Sequence, residues 1–284
     1  MPASSVLLDH DWLGLCRRSA EGLRLLLDAA PTSRERVVET GIVGEGGDRT
    51  LVIDRQAEDV VFAGLQGLHD AGARFTAVSE ERGIVDFGDP GLLVVVDPID
   101  GSLNAKRGLG HHALSIAVAD GPTMADVLFG YVYDVGAREE WRAERGAGAW
   151  LNDAPLDDVA PERRTADGRL EVVAIESAAP ARLAAAVPAL QETAYRVRAI
   201  GAIAISLCQV AAGRVDAMAS LGLCRSVDAA GAQLVVRESG GLVAFPSFDA
   251  PLAAPLADLT GRSPVVAART QAGLDLAARL PVDR

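Results

Sequence analysis

The spacing of apolar residues changes along the chain from a helical period to a strand-like one. Apolar residues recur every three to four positions from Asp9 to Ala30 and again from Ile53 to Leu68, which predicts two helices. The segment between them, GIVGEGGDRT (41–50), is rich in glycine and charge, so we expect a mobile loop there. Later β-branched runs end in polar or glycine-containing turns and predict strands over 74–80, 92–97, 113–120 and 127–134, with two short strands within 141–156.

Strands and helices alternate in the second half of the chain, which is typical of an α/β domain. The predicted strands cover 171–176, 195–198, 215–219, 242–245 and 264–267, and the predicted helices cover 181–192, 202–212 and 227–238. Between the two halves, residues 161–168 are charged and poor in apolar side chains. We therefore expect an N-terminal α+β domain over residues 1–165 and a C-terminal α/β domain over residues 166–284.

The composition fits a compact folded protein that is strongly acidic. Hydrophobic residues make up 49% of the 284 positions, which excludes a disordered chain. Asp and Glu number 39 against 27 Lys and Arg, so the formal net charge is −12. That charge disfavours nucleic acid and anionic membrane surfaces as partners. It would also repel an anionic substrate unless bound cations reversed the sign locally.

The cysteines and the N-terminus indicate the cellular compartment. Cys16, Cys208 and Cys224 have no CxxC spacing and are too few for a disulfide framework, so we expect reduced thiols and a cytoplasmic protein. The N-terminus has no basic start followed by an apolar run, and no window approaches 18 uninterrupted apolar residues. Secretion and membrane spanning are therefore not expected.

The stretch VVVDPIDGS (94–102) ends an apolar strand with two aspartates. Pro98 disfavours the α region for Asp97 and keeps it extended, while Gly101 allows an approach too close for a Cβ atom. A helix that begins at Gly101–Ser102 would present free N–H groups to an anion, yet Asp97 and Asp100 are anions themselves. A hard cation such as Mg²⁺ between them would resolve the conflict. The alternative is an Asp-Pro turn followed by an Asp helix cap.

Two further acidic stretches matter because of their order along the chain. SEERG (79–83) places Glu80 and Glu81 directly after a predicted strand, where adjacent like charges give no structural benefit. SVDAAG (226–231) places Asp228 at the start of a predicted helix, where the alternative is an acid that the helix dipole stabilises.

Together these motifs resemble the inositol monophosphatase family of Mg²⁺-dependent, lithium-sensitive phosphomonoesterases. The residues that carry the resemblance are Glu80-Glu81, DPIDGS (97–102) with Asn104, and DAAG (228–231). Supporting matches are GDRTLVID (47–54), ERGAGAWLNDAPL (144–156), RAIGAIAISLCQVAAGRVDA (198–217) and RESGG (237–241), so the resemblance covers roughly residues 10–270. GSLNAKRG and LCRSVDAAG are most similar to the archaeal-type inositol monophosphatase/fructose-1,6-bisphosphatase branch. The resemblance implies a layered αβαβα fold, a site between its two halves, and a homodimer.

The resemblance also implies a role for each matching residue. Glu80, Asp97 and the Ile99 carbonyl would hold one Mg²⁺, and Asp97, Asp100 and Asp228 a second, with Glu80 helping with a third, weaker ion. The backbone N–H groups of Gly101 and Ser102 would bind the phosphate oxygens. Asp54 and the Ser102 hydroxyl would orient the attacking water, and Asp48 also matches a family position, although a plain loop acid explains it as well.

Substrate contacts implied by the resemblance fall on Asp100, Gly201, Ala202 and Arg225. Ala202 replaces the family's hydroxyl residue, and Ser220-Leu221 stand where the animal enzymes carry a glutamate that contacts inositol. Lys106, Arg107 and Arg225 lie beside the motifs and would suit a second phosphate, although solvated surface charge is the alternative for them. The pair His111-His112 cannot readily meet one ion from a strand, since neighbouring side chains point to opposite faces.

The sequence therefore predicts a Mg²⁺-dependent phosphomonoesterase that hydrolyses inositol 1-phosphate, fructose 1,6-bisphosphate or both by attack of an activated water. Other substrates of the same family, histidinol phosphate or a nucleotide 3′-phosphate, remain alternatives. So does a non-catalytic relative that binds a phosphate ligand, because substrate-contact residues of the family are replaced. A phosphatase that forms an aspartyl phosphate ranks low, because its motif has DxD spacing and this chain has DxxD.

Overall fold

The first described elements are helices and a short hairpin. The computed structural model describes residues 10–31, 33–37, 39–43, 49–157 and 160–281, with side chains for all of these except 39–43 and 49–51. The elements in this part are helices α1 (Trp12–Ala29), α2 (Ser33–Arg36) and α3 (Val52–Asp70) and the antiparallel strands β1 (Glu39–Val43) and β2 (Arg49–Leu51). The predicted loop over 41–50 is therefore wrong at both ends, where the hairpin lies. Its middle, 44–48, lies outside the described residues, and so does Asp48.

An eight-stranded sheet follows in the chain. Its strands are β3 (Thr76–Ser79), β4 (Gly83–Asp86), β5 (Leu93–Asp100), β6 (Ala113–Ala119), β7 (Val127–Asp134), β8 (Glu139–Glu144), β9 (Gly148–Leu151) and β10 (Ala154–Pro155). Their order is β10-β9-β8-β7-β6-β5-β3-β4, and each neighbouring pair is antiparallel except β3 and β5. A 3₁₀ turn over Met124–Asp126 precedes β7. The segment 141–156 thus contributes to three strands rather than the two predicted, and β4 was not predicted.

Strand β5 lies inside this sheet and is buried along its whole length. Its register with β6 shifts between Asp97 and Asp100, where Pro98 interrupts the regular ladder. Helix α4 (Ser102–Arg107) begins directly after β5. Gly101 joins the two with a φ of 81°, and a Cβ atom there would lie 2.8 Å from the carbonyl oxygen of His111. Only glycine fits this turn, as the sequence predicts.

A five-stranded sheet forms in the second half. Its strands are β11 (Leu170–Glu176), β12 (Ala194–Arg198), β13 (Ala217–Ser220), β14 (Leu242–Ala244) and β15 (Val266–Ala268), in the order β12-β11-β13-β15-β14. The helices of this half are α5 (Pro180–Thr193), α6 (Ile203–Ala211), α7 (Ser226–Glu238) and α8 (Gln271–Ala277), of which α8 was not predicted. Strand β11 is parallel to both neighbours, which places its carboxyl end, at Glu176, beside the loop after β12.

The packing produces five layers. Helices α1 and α3 pack on one face of the larger sheet, and α6 and α7 pack between the two sheets in one continuous apolar cluster. Helices α5 and α8 cover the outer face of the smaller sheet. The close approach of α7 to β7 depends on Gly130, since a Cβ atom there would lie 2.3 Å from the carbonyl oxygen of Gly231. The predicted αβαβα fold is confirmed.

The division into domains over 1–165 and 166–284 stays a prediction. The two sheets do use separate stretches of the chain, but α6 and α7 pack against both of them. No helix in the described part of the chain is both long and apolar enough to cross a lipid bilayer.

Candidate metal centre and active-site cleft

Three carboxylates from distant parts of the chain meet at one edge of the larger sheet. Glu80 lies in the turn after β3, Asp97 lies near the end of β5, and Asp228 lies in the first turn of α7. One oxygen of each carboxylate lies within 4.8 Å of the others, and we call this group the acid cluster. Strands β3 and β5 are parallel, so their carboxyl ends reach the same sheet edge, and the N-terminus of α7 completes the group from the second half.

The acid cluster fits a hard divalent cation. Its ligands are all carboxylate oxygens, which Mg²⁺ prefers, and Asp97 is only 4% exposed. Burial, with a further contribution from the neighbouring Asp228, raises the pKa of Glu80 to about 7, although Arg225 opposes this shift. Burial, then Asp100 and Glu80, raise the pKa of Asp97 well above its ordinary value. Burial also raises the pKa of Asp228. Burial disfavours the ionised form of these carboxylates. A bound divalent cation would supply the positive charge that stabilises the ionised form.

Asp100 is placed beside the acid cluster but is not one of its three members. Its two carboxylate oxygens accept hydrogen bonds from the backbone amides of Ile203, at 3.1 Å, and Ala204, at 2.7 Å. It therefore caps the N-terminus of α6. The sequence predicted that Asp100 binds metal, but its carboxylate already caps α6. The metal-binding role of Asp100 stays a prediction.

Arg225 lies against the acid cluster. Its guanidinium Nη1 lies 2.7 Å from Glu80 Oε1, and Nε lies 3.6 Å from Asp228 Oδ1. Its backbone amide also donates to Asp228 Oδ2 at 2.9 Å. Burial lowers the pKa of Arg225, but Asp228 and Glu80 outweigh that effect and raise it overall. The sequence predicted a substrate contact for this residue, and the structure pairs it with two predicted metal ligands.

The cleft next to the acid cluster has a volume of about 610 Å³, enough for a small polyol phosphate. Its lining includes the predicted residues Ile99, Gly101, Ser102 and Gly201. Ala202 is 2% exposed, and its side chain is not among the described lining residues.

Asn104 joins the two halves of the molecule beside the cleft. Its Nδ2 donates to the carbonyl oxygens of His111, at 2.7 Å, and Ile200, at 2.8 Å. A Cβ atom at Gly201 would lie 2.8 Å from that same Nδ2. Glycine at this position therefore allows the segment after β12 to lie against α4.

Asp54, predicted to orient the attacking water, lies in the first turn of α3 next to Lys106. Lys106 Nζ lies 3.7 Å from Asp54 Oδ2, and the two side chains are 25% and 12% exposed. Lys106 is thus held beside a predicted catalytic carboxylate. The sequence predicted that Lys106 either contacts a second phosphate of the substrate or is a solvated surface charge. Neither alternative included an ion pair with Asp54.

Sequence reasoning missed two cleft residues. Glu176, at the end of β11, is buried and accepts hydrogen bonds from Ser206 Oγ at 2.6 Å and Gly201 N at 2.9 Å. Burial raises the pKa of Glu176 to about 7, although these hydrogen bonds lower it. Arg182, in the first turn of α5, also lines the cleft, with its guanidinium against Gly222. The predicted strand 171–176 (EVVAIE) ends in an acid, as the strand that ends in VVVD (94–97) does. This shared pattern was the sequence signal available for Glu176.

The remaining candidates have structural surroundings. His112 is buried with Nδ1 3.0 Å from the carbonyl oxygen of Leu109, which agrees with packing rather than metal binding. The three cysteines are buried and free. Glu81 follows Glu80 but is not part of the acid cluster.

Comparison with known proteins identifies the family. The model of the inositol monophosphatase family matches residues 15–278. The fructose-1,6-bisphosphatase/inositol-1-monophosphatase of Methanothermobacter thermautotrophicus is 30% identical over 82% of this chain and 83% of its own length. The Nus factor SuhB of Pasteurella multocida is 33% identical over 69% of this chain and 71% of its own length.

A solved structure has the same fold. An inositol monophosphatase-fructose 1,6 bisphosphatase superposes with a TM-score of 0.76, over 94% of this chain and 98% of that one, at 22% identity. That likeness supports the fold alone. The family match and the curated relatives, which cover most of the chain, lead to a single conclusion: this protein belongs to the inositol monophosphatase family and is a phosphoric monoester hydrolase.

Proposed function

We propose that the protein is a Mg²⁺-dependent phosphatase of a small polyol or sugar phosphate, inositol 1-phosphate, fructose 1,6-bisphosphate or both. The observation that carries this proposal is the acid cluster, three largely buried carboxylates within 4.8 Å on the wall of a cleft of about 610 Å³. An acidic wall alone would repel a phosphate ester. A bound cation is therefore needed for such a substrate to enter.

The acid cluster would hold the metal, together with the Ile99 carbonyl and Asp100. Bound Mg²⁺ would offset the charge of the phosphate and favour ionisation of the attacking water. We propose two or three ions per site, as the resemblance implies. Because the acid cluster reaches across both halves of the chain, its geometry depends on the packing of α7 against the larger sheet.

Other residues of the chain would orient the reactants. The backbone N–H groups of Gly101 and Ser102, at the turn between β5 and α4, would donate to the phosphate oxygens. Asp54 and the Ser102 hydroxyl would orient the water in line with the ester oxygen. As the new P–O bond forms, the ester P–O bond breaks, and the leaving alkoxide takes the proton that the attacking water gives up. Lys106 would hold Asp54 in place through their ion pair.

Cations around the cleft support a substrate with a second anionic group. Arg182 lines the cleft, and Arg225 lies beside Glu80. The Methanothermobacter relative carries both fructose-1,6-bisphosphatase and inositol-1-monophosphatase in its name, which favours the same two substrates here. Gly201 and the Asp100 carboxylate would contact the sugar or polyol portion.

A direct assay tests the proposal. The purified protein should release phosphate from inositol 1-phosphate or fructose 1,6-bisphosphate with Mg²⁺ present, and EDTA should abolish that release. Asp97→Asn, which keeps the side-chain volume, is the matched inactive control. Histidinol phosphate and a nucleotide 3′-phosphate belong in the same panel, and turnover on either alone would replace the proposed substrate. Folded protein without Mg²⁺-dependent turnover on any of the four would contradict the proposal.

A second candidate function, in addition to hydrolysis, is the binding of a partner or of a phosphate ligand that is not a substrate. The relatives named Nus factor SuhB favour it, since that name describes a factor rather than an enzyme. The net charge of −12 argues against direct contact with nucleic acid. Calorimetry that detects tight binding of a phosphate ester without hydrolysis would support this candidate.

We also propose a cytoplasmic homodimer. Three buried free thiols support a reducing compartment. Strand β12 lies at the edge of its sheet and exposes Tyr195 and Val197, which fits an interface with a second copy. Light scattering on the purified protein measures the oligomeric state, and a monomeric mass would contradict the dimer.

A further inference from the structure

Glu58 is a buried acid of α3 that lies outside the acid cluster and the cleft lining. It is 1% exposed, and its Oε1 accepts hydrogen bonds from the Ser79 hydroxyl and from the backbone amide of Arg82, the latter at 3.2 Å. Its other oxygen, Oε2, lies 3.3 Å from Arg82 Nε. A buried carboxylate with three such contacts is held firmly and also holds its partners.

The partners of Glu58 lie on both sides of Glu80. Ser79 is the last residue of β3, and Ser79 pairs with Gly83 of β4, so residues 80–82 form the turn that joins the two strands. Segment 79–82, which we call the Glu80 turn, is therefore fixed to α3 before and after Glu80. Strand β4 is an edge strand and gives the turn support from one side only.

Arg82 strengthens the attachment. Its guanidinium also pairs with Asp59 and lies 4.4 Å from the centre of the Phe62 ring. Asp59 is exposed and pairs with the side chain of Arg82, whereas Glu58 also bonds Ser79 and the backbone of the turn. Neighbouring acids on one helix thus share the same arginine but differ in whether they hold the backbone.

We propose that Glu58 is a positioning residue for the metal site. It fixes the Glu80 turn against α3 so that the Glu80 carboxylate faces Asp97 and Asp228. Asp54 lies one helical turn before Glu58, so a single helix orders both the predicted water-orienting acid and the turn that carries Glu80. The inference rests on the proposed function, because it assigns Glu58 to the ordering of a metal ligand.

A purely structural role for Glu58 makes a different prediction. If Glu58 only satisfied buried polar groups, its loss would lower the free energy of unfolding and leave the metal affinity of the folded protein unchanged. If it positions Glu80, the folded variant binds metal more weakly, and saturating metal restores turnover. Supporting groups of this kind typically contribute about 10–100-fold in metal affinity.

The test titrates Mg²⁺ into substrate-free protein by calorimetry and measures the Mg²⁺ activation constant and kcat separately. For Glu58→Ala we expect metal affinity to fall by about tenfold or more, with kcat at saturating Mg²⁺ within about threefold of the wild type. Glu58→Gln, which keeps one acceptor oxygen, should recover part of the affinity. Asp59→Asn is the matched control and should change the affinity by less than about twofold.

Four outcomes would overturn the inference or separate it from the proposed function. A folded Glu58→Ala protein with wild-type Mg²⁺ affinity overturns it. If Glu58→Ala does not fold, Ser79→Ala removes one of the bonds and should still weaken Mg²⁺ binding, and an unchanged affinity in that variant overturns it equally. A wild-type protein that binds Mg²⁺ but hydrolyses no phosphate ester leaves the positioning role standing and refutes the proposed activity. A wild type that binds no Mg²⁺ refutes both.

Discussion

Arg225 and Glu80 form an ion pair in the acid cluster, with Nη1 and Oε1 2.7 Å apart and side chains only 14% and 20% exposed. A guanidinium in this place offsets part of the charge of three converging carboxylates. A metal ion bound by Glu80 would compete with the arginine for that carboxylate in the substrate-free protein. A guanidinium displaced by the metal would then be free to contact a substrate in the cleft, whose wall Arg225 already lines.

We therefore expect Arg225→Met to raise the Mg²⁺ affinity of the substrate-free protein by about 3–10-fold, since a nearby cation is removed. Turnover of a bisphosphate should fall more than that of a monophosphate, because the released guanidinium is lost. Calorimetry and steady-state kinetics on both substrates measure the two effects. Arg262→Met is the control, because exposed Arg262 acts on Asp228 through charge, while no ion pair joins it to the acid cluster in the described part of the chain. Weaker Mg²⁺ binding in Arg225→Met would contradict the competition.

Asp97 illustrates a conflict between stability and metal binding. Burial and the neighbours Asp100 and Glu80 disfavour its ionised form in the metal-free protein. Asp97→Asn should remove nearly all Mg²⁺ affinity and turnover while it raises the free energy of unfolding in EDTA by about 1–2 kcal/mol. The asparagine oxygen keeps the hydrogen bond from the backbone amide of Ile99, which is 3.0 Å long.

Urea unfolding in EDTA measures this difference. Asp86→Asn is the matched control, since Asp86 accepts a bond from the amide two residues later, at 2.7 Å, but is exposed. Its stability should change by less than about 0.5 kcal/mol. If Asp97→Asn were less stable than wild type in EDTA, the carboxylate would be a structural element rather than a destabilised ligand.

The acid cluster could be predicted because the local sequence around each acid restricts its position. Asp97 ends a buried strand before proline, Glu80 follows a strand, and Asp228 opens a helix. Strand ends and helix starts in a layered α/β fold gather at common edges, and the resemblance supplied the pairing. The apolar pattern likewise located most strands of both sheets and most of the helices that pack on them.

The remaining features depend on contacts between distant residues. The sequence near Asp100 does not indicate that it caps a helix 103 positions later. The sequence placed Arg225 beside a motif, but only the packing of α7 shows that its guanidinium pairs with Glu80 at the cleft wall. Parts of β1 and β2 were predicted as a loop because segment 41–50 is rich in glycine and charge; both strands are short, and the described residues pair them with each other.

Lys106 and Asp54 should act as a unit. Asp54→Asn is expected to lower kcat by about 100-fold with little change in Mg²⁺ affinity, because the role proposed for Asp54 is to orient water rather than to bind metal. Lys106→Met should lower kcat by about tenfold, since Asp54 loses the ion pair that holds it. In the double variant the loss should equal that of Asp54→Asn alone. Arg107→Met is the control, because Arg107 is the next residue and is exposed. If the losses in kcat were additive in the double variant of Asp54 and Lys106, they would contradict the coupling.

Glu176 should make the stability of the metal-free protein depend on pH. Its pKa is about 7 in the folded protein against an ordinary 4.5, so between these values the folded state holds a proton that the unfolded state has lost. The stability that this proton contributes is complete below pH 4.5, is lost as pH rises to about 7 and amounts to about 3 kcal/mol.

In EDTA, the free energy of unfolding of Glu176→Gln should therefore fall less steeply than that of wild type between pH 5 and pH 8. Glu171→Gln, exposed on the same strand, should follow the wild-type curve. Parallel curves for wild type and Glu176→Gln would mean that Glu176 is ionised throughout, with its hydrogen bonds from Ser206 and Gly201 outweighing the effect of burial.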